Sequence, residues 1–169
     1  MDERTEREFR EFVAARQAAL YRAALLLTGH REDAEDLLQA ALSRLALHWG
    51  DVAGSADAYV RKILYHQQVG HWRRRGRRRE FSTAEPPEPG RVVDPADQAS
   101  LRLTLTRVLR ELTPRQRAVL VLRFYEDLPE GEVAQLLGCG VGTVRSMTSR
   151  TLARVRAMAP ELVSTVTTA

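Results

Sequence analysis

Residues 130–149, EGEVAQLLGCGVGTVRSMTS, decide the reading of this chain. Ala134, Gly138 and Val144 stand at i, i+4 and i+10, with Val133, Leu137 and Met147 apolar around them. A small residue at 134 lets two short helices cross closely. Gly138 can take the positive φ that ends the first helix in a tight turn. Val144 and Met147 face inward from the second helix, which leaves its other face free to enter a groove. The spacing predicts a helix-turn-helix, with Gly138-Cys139-Gly140-Val141-Gly142 as its corner. An ordinary helical hairpin satisfies the same spacing, so the rest of the chain has to separate the two.

Working outward, no segment shows sustained strand alternation, and apolar residues recur at helical steps throughout. Thr113-Pro114-Arg115-Gln116 reads as a helix start, with Thr as cap, Pro in the first turn and Gln three residues after the cap. Val119, Leu120, Leu122 and Phe124 carry that helix toward Tyr125, and Pro160 is expected to stop the last helix, leaving 161–169 as a tail. Leu101, Leu105, Val108, Leu109 and Leu112 form the stripe of an earlier helix. Upstream, Pro86, Pro87, Pro89, Gly90 and Pro95 exclude regular structure, so 80–96 reads as a linker. Before it lie one or two helices over about 5–27, broken at Thr28-Gly29. A helix over about 32–49 carries Leu38, Leu42, Leu45 and Trp49. A third, capped by Ser55, carries Val60, Ile63, Leu64 and Gln67 on one side. The expected fold is all-α: two small helical domains, 1–79 and 97–160, joined by a Pro-rich linker, the second containing the helix-turn-helix.

Composition narrows the function classes. The 169 residues are 44% hydrophobic and 28% charged, which fits a globular protein and excludes a disordered one. A net charge of +4 is compatible with a nucleic-acid partner. The charge is uneven: Glu32, Asp33, Glu35 and Asp36 are clustered, and so are Arg73, Arg74, Arg75, Arg77, Arg78 and Arg79. Lys62 is the only lysine, so guanidinium chemistry is available wherever phosphate is met. Cys139 stands alone, which rules out an internal disulfide and fits a cytoplasmic protein. There is no signal peptide and no apolar run of membrane-spanning length, so no membrane insertion is expected. His30, His48, His66 and His71 lack metal-ligand spacing, and no nucleophile–base pair or phosphate-cradling Gly loop is visible. No cofactor, no metal and no catalytic activity are expected.

Two stretches carry nucleic-acid chemistry. In the second helix of the motif, Thr143, Arg145, Ser146, Ser149 and Arg150 project outward once Val144 and Met147 are buried. Arg145 can fork onto guanine in the major groove, and the hydroxyls can bond phosphate or base. Arg150, Arg154 and Arg156 continue as phosphate contacts. A merely solvated helix face is the plainer reading. In Tyr65–Arg79, His66, His71 and Trp72 are interleaved with arginines, a pattern that stacks bases and tracks a single strand. A solvated basic tail, with Trp72 as a core anchor, is the plainer reading there. The acidic cluster suits either the positive end of a helix dipole or a docking surface.

The order of acidic apolar helix, basic aromatic helix, Pro-rich linker and helix-turn-helix resembles that of an extracytoplasmic-function (ECF) sigma factor. Within the sigma-70 class it is most similar to the short actinobacterial sigma-E-like members. The matching residues are Asp33-Ala34-Glu35-Asp36-Leu37-Leu38-Gln39, Ala58-Tyr59-Val60-Arg61-Lys62-Ile63-Leu64, Leu112-Thr113-Pro114-Arg115-Gln116-Arg117 and Leu136–Ser146. The resemblance implies a dissociable subunit of bacterial core RNA polymerase. Its first domain would dock on the clamp helices of the largest subunit through Asp33, Asp36, Leu37, Gln39 and Arg44. Lys62, His66, Gln67, His71, Trp72, Arg73, Arg74 and Arg75 would read and melt the −10 element. Thr143, Arg145, Ser146, Ser149, Arg150 and Arg154 would read the −35 element, while that domain also meets the flap of the second-largest subunit. An anti-sigma factor is the family's usual regulator.

The chain departs from the family pattern at His66 (usually Asn), at Ala40 and Ala41 (usually acidic or polar), at Gly140 (often a capping Ser) and at Met147 (often Arg). These positions bear on promoter sequence and docking strength. The rival reading is a stand-alone helix-turn-helix repressor or activator, binding duplex DNA as a dimer without polymerase.

Overall fold

The computed structural model describes residues 2–52, 54–79 and 98–164. The expected linker, 80–96, and residues 165–169 of the expected tail lie outside them. Among the described residues every regular element is helical. Contacts divide the chain into two units, Met1–Gly70 and His71–Ala169, a division that falls inside the third helix.

In the first unit the spacing over 5–27 resolves as one helix, α1 (Glu3–Thr28). Asp2 caps it, its carboxylate accepting the Thr5 N–H at 2.8 Å. Gly29, at φ 74°, ends it by returning its N–H to the Leu25 carbonyl. Helix α2 (Arg31–Leu47) follows at once, with Glu32 and Asp33 at the positive end of its dipole. Helix α3 (Ala56–Arg79) comes after a short 3-10 turn at Trp49–Asp51. Ser55 caps α3, its hydroxyl accepting the Ala58 N–H at 3.3 Å.

The core of this unit is Leu20, Ala24 and Leu27 from α1, Ala34, Leu38, Ala41 and Leu45 from α2, and Val60, Leu64 and Val69 from α3. Each fully buried leucine contributes on the order of 1.5–3 kcal/mol. Trp49 closes the open end of the α1–α2 pair. Its ring lies 5.2 Å from that of Phe9, edge-on, and 5.3 Å from that of Phe12. Asp57 ties α3 to α1: its two oxygens accept from Arg16 Nε at 2.7 Å and Arg61 Nε at 2.9 Å. Burial alone would push this carboxyl up. The hydrogen bonds and charges of the two arginines outweigh it and hold Asp57 below the usual carboxylate range.

The second unit contains α4 (Gln98–Glu111), α5 (Pro114–Leu120), α6 (Glu130–Leu137), α7 (Val141–Met158) and α8 (Pro160–Ser164). The capping box at Thr113 forms as its spacing predicts. The Thr113 hydroxyl accepts the Gln116 N–H at 3.3 Å, and Gln116 Oε1 accepts the Thr113 N–H at 3.2 Å. Val108, Leu109, Leu112, Val119, Leu122, Val133, Leu137, Val144, Met147 and Val155 are buried. Of the stripe expected on α4, Leu105 instead remains 41% exposed.

Two expectations are corrected. Helix α5 does not run on to Tyr125. It widens into a π turn at Val121–Tyr125, where the Glu126 N–H reaches back five residues to Val121 O, and Asp127 follows at φ 52°. The widening turns Phe124 and Tyr125 to solvent, 58% and 45% exposed. Pro160 does not close the chain's helices. Helix α7 already ends at Met158, and Pro160 opens α8 at the position where its missing N–H costs nothing.

Candidate nucleic-acid interface

The helix-turn-helix is α6 and α7. Gly138 sits at φ 64°, and the Cys139 N–H folds back onto the Ala134 carbonyl at 3.0 Å, closing the corner. Val133, Ala134 and Leu137 pack against Val144 and Met147. Gly140 stands at the N-cap of α7 with extended backbone and supplies no side-chain cap.

Burial of Val144, Met147, Thr151 and Val155 fixes the rotation of α7. Thr143, Arg145, Ser146, Ser149 and Arg150 are exposed, as their spacing from that face requires. They divide into two rows. Thr143, Ser146 and Arg150, at i, i+3 and i+7, flank one side of the exposed face. Arg145 and Ser149 flank the other and border a shallow open hollow with Glu130, Thr148, Leu152 and Arg156. Ser146 Oγ donates to the Thr143 carbonyl, and Arg150 Nε to the Ser146 carbonyl. Arg145 Nε donates to Glu130 Oε2 at 2.6 Å.

Arg154 is placed differently from expectation. Its Nη1 donates to Gln116 Oε1 at 3.1 Å and its Nη2 to the Glu111 carbonyl at 2.9 Å. The guanidinium is thus bound into its own domain, capping the C-terminal end of α4, because position 154 lies beside the buried row of α7. Nearby, buried Arg117 donates to the Leu109 and Leu112 carbonyls at 2.7 Å and 3.2 Å.

On α3, Lys62, His66, His71 and Arg74 are exposed, while Gln67 and Trp72 are half-buried. The side chains of Arg73 and Arg75 lie outside the described set. Within the second unit, the Arg115 guanidinium carbon lies 5.8 Å from the centre of the Trp72 ring, so one face of that aromatic is covered by a cation. Tyr59, absent from the expected contacts, is 36% exposed and shares a row with Lys62 and His66 at i, i+3 and i+7. The signal for it was its spacing, hidden by its position ahead of the basic run.

On α2, Asp33, Asp36, Gln39 and Arg44 are exposed together. Leu37, expected in the same docking set, is 8% exposed and lies in the buried row of α2. The same exposed side ends in Leu47, 80% exposed, which the helical stripe did not single out. Among the described residues no group of His, Cys, Asp or Glu could hold a metal, and no helix is long and apolar enough to cross a membrane.

Residues 102–155 match the model of sigma-70 region 4, a span running from α4 through most of α7. The chain is 40% identical over 151 residues to an RNA polymerase sigma-E factor of Streptomyces avermitilis, covering 88% of this chain and 83% of that one. It is 33% identical over 135 residues to the ECF RNA polymerase sigma factor SigL of Mycobacterium tuberculosis, covering 76% of each. Its fold is similar to that of the sigma factor RpoE of Bartonella quintana, solved with the anti-sigma factor NepR. The TM-score is 0.62 at 22% identity, over 91% of this chain and 98% of that one. A chain whose described regular elements are all helical, which carries a helix-turn-helix and shares identity at this level over most of its length with such relatives, belongs to the extracytoplasmic-function family of RNA polymerase sigma factors.

Proposed function

We propose that two segments of the chain, 1–79 and 97–160, divide promoter recognition between them while core RNA polymerase carries both. Residues 1–79 serve core docking and the −10 element, 97–160 serve the −35 element, and 80–96 link them. The exposed α2 side with Asp33, Asp36, Gln39 and Arg44 meets the clamp helices of the largest subunit. The α3 row of Tyr59, Lys62 and His66, continued by Gln67, His71, Trp72 and Arg73–Arg75, takes the melted −10 strand by stacking and phosphate contact. Thr143, Arg145, Ser146, Ser149 and Arg150 of α7 enter the major groove at −35. The second unit also meets the polymerase flap, and an anti-sigma factor competes for these surfaces. The polymerase supplies the chemistry of RNA synthesis, and the setting is the cytoplasm.

The observation that carries this reading is the rotation of α7. Val144, Met147, Thr151 and Val155 are buried along one side, and the hydroxyls of Thr143, Ser146 and Ser149 are left exposed with Arg145 and Arg150 on the outer side. Run-off transcription tests it. Core polymerase from Streptomyces coelicolor, challenged with a template library, should yield discrete promoter-dependent transcripts only when this chain is added. Unchanged initiation in its presence refutes the proposal, and tight sequence-specific duplex binding by the chain alone favours the stand-alone regulator.

A further inference from the structure

The proposed −35 reading treats Arg145 as an independent contact, yet its guanidinium is tethered. Glu130, in the first turn of α6, holds Arg145 Nε through Oε2 at 2.6 Å. The two side chains differ sharply in exposure, 70% for Arg145 and 29% for Glu130. The glutamate side chain is therefore the more covered partner and the arginine the more open one. This geometry matters because an arginine reads guanine through a planar fork aimed at O6 and N7. A bond at Nε leaves both Nη groups available for that fork. It also fixes the plane of the guanidinium and the path of a side chain that otherwise samples many rotamers.

We infer that Glu130 is a positioning residue that sets base specificity through Arg145. It rests on the −35 reading and adds to it a residue outside the recognition helix. Glu130 touches no base. Its carboxylate, set back in the hollow beside Thr148 and Leu152, presents Arg145 end-on to one guanine. The opposite possibility is a competitor that DNA must displace. That arrangement would make the glutamate the more exposed partner, and the exposures run the other way. The pairing spans fifteen residues between two helices and leaves no mark in the local sequence.

Selection from duplexes randomised over the upstream promoter element tests this. The selecting species is holoenzyme reconstituted from the full chain and Streptomyces coelicolor core polymerase. Wild type should enrich guanine at one position, and Arg145→Ala should abolish that enrichment. Glu130→Ala should reduce it about tenfold at that position alone. Glu130→Gln retains an acceptor for Nε and should stay within about threefold of wild type. Glu130→Ala in the Arg145→Ala background should add nothing. Thermal melting of each variant separates this from a structural role, which would weaken every position together.

A Glu130→Ala pool identical to wild type overturns the inference and leaves the −35 reading standing. So does a variant that binds all sequences more tightly, the signature of a competitor. A wild-type pool with no enrichment overturns the −35 reading itself, and the inference with it.

Discussion

Replacing Arg154 with alanine should lower stability and leave DNA electrostatics untouched. The side chain spans two acceptors: the Gln116 side chain, itself half of the Thr113 capping box, and the Glu111 carbonyl at the C-terminal end of α4. A hydrogen bond from a charged donor is worth about 1.5–3 kcal/mol when shielded. Arg154 is exposed, so solvent and rotamer entropy reduce that to about 1 kcal/mol for the fork as a whole. Placement at the negative end of a helix dipole adds a few tenths (roughly 0.3 kcal/mol or more). A loss of about 1–1.5 kcal/mol lowers the melting temperature of a domain this size by roughly 4–12 °C.

Lysine at 154 restores little, because a single ammonium cannot reproduce a planar fork onto two acceptors. Arg150→Ala is the comparison. Among the described residues Arg150 bonds only its own helix backbone, so its loss should shift melting by less than about 2 °C. It should reduce the slope of log affinity against log salt by about 0.9 in promoter binding by the holoenzyme. The assay is a calorimetric melt of each variant beside a salt titration of holoenzyme on promoter DNA. If Arg154→Ala melts with wild type while its salt slope falls by about 0.9, Arg154 is a phosphate contact after all, and the capping argument is wrong.

Two further predictions concern the scaffold. Asp57→Asn should cost about 1 kcal/mol at neutral pH, since Arg16 is partly solvated and discounts the pair. The folded carboxyl is held below its usual value, so its stabilisation is present above about pH 4 and fades as pH falls through the depressed value. The gap between wild type and Asn in urea melts should therefore close toward pH 3, and a gap that widens there refutes the bridge. Gly140→Ser should stabilise α7 by about 0.5–1 kcal/mol. A side chain at 140 meets nothing nearer than Thr143 Oγ1 at 4.0 Å, the backbone is already extended, and serine supplies the missing cap. A lowered melting temperature would show that the turn needs glycine for another reason.

The helices, the capping box and the left-handed Gly138 were legible because each is written in residues a few positions apart. Period, cap and turn are local physics, and Val144 with Met147 sufficed to fix which side of α7 faces outward. What escaped the sequence depends on partners distant along the chain. The π turn at Val121–Tyr125 is held by backbone groups of Glu126 and Leu128 and by Arg123 reaching the Leu128 carbonyl. No periodicity in Val119–Tyr125 announces those bonds, so Phe124 is expected to continue α5 and instead lies exposed in the π turn. Leu37 falls among the docking residues only through the motif match, beside Asp33, Asp36 and Gln39, which are exposed. In a helix, however, 34, 37, 38, 41 and 45 form one apolar row, and the motif match obscured it.

The same distinction governs the arginines. With Lys62 as the only lysine, almost every positive charge is a guanidinium, and a guanidinium serves a phosphate or a backbone carbonyl equally well. Arg16 and Arg61 serve Asp57, Arg117 and Arg154 serve the end of α4, Arg123 serves the Leu128 carbonyl, and Arg145 is held by Glu130. A count of basic residues therefore overstates the electrostatic footprint on DNA. The salt dependence of promoter binding should follow the exposed cations bonded only within their own helix or to solvent, Arg150 among them. The tethered ones contribute geometry. In α7 the division falls along the helix: Arg145 and Arg154 are fixed by other helices, one aimed outward and one turned back. Under the −35 proposal, base specificity and domain stability fall to different copies of the same side chain.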